Sequence, residues 1–133
     1  MGYTIQEVSK KVNLSPYTLR YYERAGLLPS IERDIHGNRS FKDTDIEWIN
    51  LLHCLRKTGM SISMIRRYVE LSLKGTETIQ SRRQIMLDHK HGIEEKIAEL
   101  QQYWELVNNK VQHYNILTNE KSEKNNEPDR SAL

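Results

Sequence analysis

The chain has 133 residues, room for one globular domain and one long element. Apolar residues make up 37% and charged residues 29%, which suits a modest core under a large polar surface and argues against a large enzyme core. The net charge of +2 is small but unevenly placed: residues 1–75 hold 12 Lys/Arg against 8 Asp/Glu, and residues 76–133 hold 8 against 10. A basic head before a mildly acidic tail fits a head that binds nucleic acid, although an ordinary solvated surface would look much the same by charge alone. No apolar run approaches the ~20 residues of a membrane helix. Met1-Gly2-Tyr3-Thr4 lacks a basic-then-apolar leader pattern, so a cytoplasmic location is expected. Cys54 is the single cysteine, which excludes an internal disulfide.

Thr4-Ile5-Gln6-Glu7 spells a capping box, and Ile5, Val8 and Val12 give the first helix one apolar face. Asn13 allows a turn. Ser15-Pro16 then offers an N-cap followed by proline at the first helical position, and a second helix runs through Leu19 and Tyr22 to about Ala25. Gly26 supplies a left-handed end and Pro29 prevents continuation. Residues 27–42 change character: Ile35-His36-Gly37-Asn38-Arg39 carries a Gly-Asn turn, with Ile31 and Phe41 as flanking strand residues, and reads as a small β-hairpin. Thr44-Asp45-Ile46-Glu47 spells another capping box ahead of a third helix that ends at Gly59. Ser61 caps a fourth helix, which stops at Gly75.

From Thr76 to about Thr118 there is no proline and the only glycine is Gly92. Ile79, Met86, Ile93, Leu100, Val107 and Tyr114 recur every seven residues, with Ile97, Trp104 and Val111 interleaved at offset four. From Ile93 to Tyr114 this is a sustained coiled-coil seam. A single helix over this stretch would be about 65 Å long at ~1.5 Å per residue. It cannot bury such a stripe in so small a head and needs a partner, the simplest being its own copy; the other reading is a stripe folded back on the head. The expected architecture is mainly α. A winged helix-turn-helix head with a hairpin wing occupies 1–75, a coiled-coil dimerisation helix 76–119 and a disordered tail 120–133.

The second helix crowds Tyr17, Thr18, Arg20, Tyr21 and Arg24 into one short segment, more hydroxyls and guanidinium groups than a core-filling helix would expose. In a helix-turn-helix, the start of the second helix enters the major groove, where such groups reach base edges and phosphates. Arg39 and Lys42, on or beside the hairpin, would extend that basic surface. Tyr and Arg on a surface helix also mark protein interfaces, so a coiled-coil adaptor binding protein is the rival reading. No Ser-His-Asp arrangement, metal-ligand cluster or Gly-rich phosphate loop supports an enzyme, and no cofactor is expected.

The segment Tyr3-Thr4-Ile5-Gln6-Glu7-Val8-Ser9, the string Thr18-Leu19-Arg20-Tyr21-Tyr22-Glu23-Arg24-Ala25-Gly26-Leu27-Leu28-Pro29, the wing Gly37-Asn38-Arg39-Ser40-Phe41 and the stretch Leu55-Arg56-Lys57-Thr58-Gly59-Met60-Ser61-Ile62 together resemble the MerR family of bacterial regulators. The resemblance covers roughly residues 3–118. It implies an antiparallel coiled-coil homodimer bound to an inverted repeat in promoter DNA, with RNA polymerase affected indirectly through promoter bending and undertwisting. It assigns DNA contact to Tyr17, Thr18, Arg20 and Tyr21 on the recognition helix and to Arg39 on the wing. It assigns the dimer seam to Ile93, Ile97, Leu100, Trp104, Val107, Val111 and Tyr114. Phe41 stands where the family usually has tyrosine, which removes a phosphate-binding hydroxyl. Bending a site costs of order 1–6 kcal/mol, which a dimer gripping both half-sites through phosphates can supply.

Drug-sensing members of the family carry a large C-terminal ligand domain, and this chain ends at Leu133, shortly after the coil, so that route is not expected. No cysteine follows Gly75, so a soft-metal thiolate site within one chain is not expected either. His89 and His91 are two apart on a helix, point to different sides and read as solvated histidines. Cys54, in His53-Cys54-Leu55-Arg56-Lys57, resembles the single cysteine of the NmlR/AdhR-like branch, which responds to aldehydes, other carbonyl electrophiles or nitrosative stress. Arg56 and Lys57 would favour its thiolate, whereas the C-terminal half of a helix opposes an anion. The residues themselves allow two further readings: a half-buried thiol packed as a small apolar group, or a non-covalent ligand site between head and coil.

Overall fold

The computed structural model describes residues 2–120; the tail expected over 120–133 lies, beyond Glu120, outside the described residues. The chain divides between His89 and Lys90 into two compact units. The order of elements is α1 (Ile5–Val12), α2 (Pro16–Arg24), β1 (Glu32–Arg33), β2 (Arg39–Ser40), α3 (Asp43–Lys57), α4 (Ile62–Leu73) and α5 (Ile79–Asn119). Mainly helical, with one hairpin and a long C-terminal helix, this is the fold class expected. No helix among the described residues is long and apolar enough to cross a membrane.

The start of α1 is held by the capping box at Thr4: its hydroxyl accepts from the Glu7 N–H at 3.1 Å, and the Glu7 carboxylate accepts from the Thr4 N–H at 2.8 Å. Asn13 then turns left-handed, with φ of 57°, and ends the helix. Helix α2 follows at once, with Ser15 Oγ accepting from the Thr18 N–H at 3.1 Å and Pro16 at the first turn. Both starts are those the sequence spells. The third is not: α3 begins at Asp43, with Lys42 at the N-cap, and the Asp45 carboxylate accepts from the Lys42 N–H at 2.8 Å. The Thr44–Glu47 box is displaced because Asp45, three residues after Lys42, reaches back first.

The core of the first unit gathers one face from each helix. Val8 of α1, Leu19 of α2, Leu27 of the following turn, Ile49 and Leu52 of α3 and Ile65 of α4 are almost fully buried, as is Phe41 beside the hairpin. Trp48 and Tyr68 meet across α3 and α4 with ring centroids 5.7 Å apart. The first part of α5 belongs to this unit: Ile85 and Met86 pack against the core, so Met86 is core material rather than coiled-coil seam. Between α4 and α5 the backbone passes through Gly75, with φ of 95°, into a short 3-10 turn over Thr76–Thr78. Buried Thr78 donates to the Leu71 carbonyl at 2.6 Å, and Arg82 donates to Thr78 Oγ1 and to the Gly75 carbonyl. The α-helix therefore starts at Ile79, the first residue of the heptad pattern and three residues into the expected 76–119 span.

The hairpin pairs Glu32 with Ser40 and Arg33 with Arg39. Its loop is held by Asp34, whose carboxylate accepts from the N–H groups of His36 and Asn38, while Gly37 takes φ of 81°. It is thus a three-residue loop with glycine in the left-handed position rather than a two-residue Gly-Asn turn. Ile31 and Phe41, expected in the strands, lie just outside them and anchor the hairpin's base in the core. Phe41 also exchanges backbone hydrogen bonds with Tyr3 at 2.7 and 2.9 Å, which ties the wing to the start of α1.

In the second unit, from Lys90 onward, α5 has no buried residue. Ile97, Leu100, Trp104, Val107, Val111 and Tyr114 are exposed, Trp104 by 58%, and Ile93 is half-buried.

Ile49→Ala, at the centre of the first unit's core, is expected to cost about 2–5 kcal/mol of stability. Ile35→Ala, at the exposed tip of the hairpin, should stay within about 0.5 kcal/mol. Chemical denaturation of the two variants checks both.

Candidate nucleic-acid interface

Helix α2 separates its residues by a 3.6-residue period. Leu19 and Tyr22 face the core, while Tyr17, Arg20, Tyr21 and Arg24, at spacings of three and four, form an exposed stripe. Tyr17 is 71% exposed and its hydroxyl end is free to meet a partner's surface. Tyr21 tilts against Tyr22 at 6.1 Å between centroids, which fixes its ring while leaving an edge outside. Tyr22 sits in the core, and burial is the main reason its phenol pKa lies above the ordinary value. Thr18 differs from the other expected contacts. It is half-buried, and its hydroxyl lies 2.9 Å from Ser15 Oγ, so it takes part in the cap at the start of α2.

The hairpin brings Arg39 to the same place. A cleft of about 400 Å³ lies between Thr4 and Gln6 at the start of α1, Arg20 of α2 and Arg33, Asp34, Asn38 and Arg39 of the hairpin. Three guanidinium groups outnumber the one carboxylate, Asp34, in this cleft, which leaves it anion-attracting, and arginine's planar fork suits phosphate. Arg39 donates from Nε to Glu23 Oε1 at 2.6 Å, and Arg33 approaches the same oxygen at 4.0 Å. Lys42, also expected near this surface, pairs with Glu32 at 2.7 Å; that hydrogen bond pushes its pKa up. The far end of α2 is fixed as well: Arg66 of α4 donates to the Ala25 carbonyl at 3.0 Å.

Arg33, Glu23 and Arg66 escaped the sequence reading. Their partners lie 10 to 41 positions away along the chain, which no local periodicity encodes. Phe41 is buried in the core, so its ring serves the packing of the wing's base.

Cys54 stands apart from this cleft, exposed on α3. Arg56 is turned away to the Met60 carbonyl at 3.2 Å. Thr58 Oγ1 lies 2.7 Å from the Cys54 carbonyl and 2.6 Å from His89 Nε2. His89 is therefore not a plain solvated histidine: it links the end of α3 to α5 within the first unit. Among the described residues, no group of three or more His, Cys, Asp or Glu is placed to hold a metal ion.

A recognition helix packed behind a short helix, with a basic hairpin at its side, defines a winged helix-turn-helix DNA-binding protein. Residues 3–72 match the family model for MerR HTH family regulatory proteins, and residues 46–104 match the model for the MerR DNA-binding region. The chain belongs to the MerR family of DNA-binding transcriptional regulators. It is 40% identical over 114 residues to an uncharacterized HTH-type transcriptional regulator of Haemophilus influenzae, covering 86% of this chain and 84% of that protein. It is 38% identical over 86 residues to the HTH-type transcriptional regulator AdhR of Bacillus subtilis, covering 65% of this chain and 61% of AdhR. Its structure is similar, with a TM-score of 0.81 and 38% identity over 92% of this chain and 97% of the other, to HiNmlR, a MerR family regulator lacking the sensor domain, solved bound to promoter DNA. These likenesses support membership of the NmlR/AdhR-like branch. The relatives are transcriptional regulators, not enzymes.

Arg20→Ala is expected to weaken binding to duplex DNA and to lower the slope of log K against log salt by about one. Because Arg20 is exposed, its thermal unfolding should match the wild type. A fluorescence titration across a salt series reads affinity and slope together.

Proposed function

We propose that this regulator works as a homodimer on an inverted-repeat promoter site and responds to aldehydes or related electrophiles through Cys54. In this reading residues 1–75 grip DNA through Tyr17, Thr18, Arg20, Tyr21 and Arg39. The segment 76–119, through its helix α5, joins two copies by Ile93, Ile97, Leu100, Trp104, Val107, Val111 and Tyr114.

The observation that carries the reading is this stripe on α5: six of its seven side chains are exposed and the seventh, Ile93, is half-buried. Burying apolar surface contributes roughly 25 cal/mol per Å², so a helix showing such a stripe gains by meeting a second one. The periodicity favours an identical helix, since a two-fold pairing matches the stripe to its own copy, residue i meeting j as j meets i. Two heads joined in this way present two recognition helices, the requirement for an inverted repeat. RNA polymerase is then affected indirectly, through promoter geometry.

The sensing part is supported by the exposure of Cys54 and by the likeness to AdhR. A thiolate adds to a carbonyl carbon, forming a carbon–sulfur bond as the C=O π pair moves to oxygen and takes a proton. The product is bulkier and more polar than the thiol. At an exposed site it costs the fold little, so its effect is on what the surface of α3 contacts.

Two measurements test the parts separately. Trp104→Glu is expected to give monomers by sedimentation and to lose binding to the inverted repeat; a dimer that persists would remove the seam. For sensing, wild type and Cys54→Ala are titrated on the gene's own upstream region with and without formaldehyde or methylglyoxal, with footprinting of promoter distortion. Only the wild-type complex should change with aldehyde. Equal responses from both proteins would remove Cys54 as the sensor.

A further inference from the structure

Arg33 and Arg39 are directly opposite each other in the hairpin register. Like charges in that position repel and destabilise the pairing. A single carboxylate, Glu23 of α2, stands against both, 2.6 Å from Arg39 Nε and 4.0 Å from Arg33 Nη2. The pair with Arg39 is largely shielded, with side chains 19% and 21% exposed, so it is screened less than a surface ion pair. Glu23 thus joins the recognition helix to the wing across 16 positions of sequence.

By charge alone this carboxylate is misplaced. It stands beside a basic cleft on a surface that meets polyanionic DNA, and removing it should strengthen binding. The geometry points to the opposite net effect: Glu23 is a positioning residue. It holds Arg39 by Nε, sets the wing against the recognition helix, and leaves the terminal nitrogens of Arg39 for the DNA backbone. A guanidinium has five donors, and this bond uses one. An arginine already fixed by a carboxylate loses less rotamer freedom when it meets a phosphate. The inference rests on the reading of Arg39 as a DNA contact.

The sign of the effect makes the test. Wild type, Arg39→Ala, Glu23→Ala, Glu23→Gln and the Glu23→Ala/Arg39→Ala double variant are titrated on a mixed-sequence DNA duplex across a salt series, with thermal unfolding of each. Glu23→Ala is expected to bind roughly two- to tenfold more weakly, the cost of ordering one long side chain, although it removes a negative charge. Glu23→Gln keeps an acceptor for Nε and should bind as well as wild type or better. In the Arg39→Ala background, Glu23→Ala should cause no further loss. Arg39→Lys keeps the charge but lacks the Nε edge, and should lose as much as Glu23→Ala; it carries the test if Glu23→Ala does not fold. Binding by Glu23→Ala equal to or tighter than wild type overturns the inference, as does a loss that persists undiminished without Arg39, or wild-type binding by Arg39→Lys. If Arg39→Ala leaves both affinity and salt slope unchanged, the reading of Arg39 itself fails. If Arg39→Ala weakens binding but Glu23→Ala does not, only the positioning role fails.

Discussion

A nine-residue helix is not stable alone in water, yet the proposed DNA-reading face is built on one. The outward face of α2 depends on Leu19 and Tyr22 being buried in the core cluster to which α1, α3 and α4 also contribute. Two core side chains over nine residues fix the helix in place and turn Tyr17, Arg20, Tyr21 and Arg24 outward. The ends matter as much as the middle. Ser15 satisfies an N–H at the start, and Arg66 satisfies the Ala25 carbonyl at the finish, so the helix is held at three points. A contact surface held this way reaches DNA with little ordering left to do.

The wing follows the same logic with less material. Its strands are two residues each and bury almost nothing, so a hairpin of this size would not persist by itself. Its stability comes from outside: Ile31 and Phe41 at the base, the backbone bridge to Tyr3, and the Glu23 carboxylate between two arginines. Tyr3 is itself held, by a hydrogen bond to the Asp43 carboxylate that pushes its pKa up, and by Lys11 over its ring at 5.0 Å. Recognition helix and wing are therefore parts of one packed body.

Local features of this fold were legible in the sequence because they are governed by neighbours in the chain. The caps at Thr4 and Ser15, the left-handed turn at Asn13 and the buried Leu19 and Tyr22 rest on spacings of four residues or fewer, and the run of α5 on a seven-residue repeat without proline. What escaped were choices between local signals and contacts across the chain. Asp45 outcompeted Thr44 for the start of α3. Met86 fits the heptad register but packs on the core. His89 reads as a solvent-facing residue yet bonds to Thr58. For the interface, the stripe on α2 could be read directly, whereas Arg33 and Glu23 could be placed only once the hairpin had been folded against the helix.

The position of Cys54 limits how a sensor there could act. Cys54 lies on the outer side of α3, a helix whose inner side supplies Ile49, Leu52 and Leu55 to the core that also holds Leu19. An adduct on an exposed thiol removes no core contact, so it cannot work by melting the head. Through the chain itself, its nearest structural neighbour is the end of α3, where Thr58 lies between the Cys54 carbonyl and His89 of α5. The Thr58–His89 hydrogen bond is worth about 0.5–1.5 kcal/mol net. A tenfold change in promoter occupancy requires about 1.4 kcal/mol. A signal carried by this contact alone is therefore at the edge of sufficiency. A strong response through Cys54 requires the adduct also to meet something outside the chain's own core, and in a dimer the candidate is the second copy.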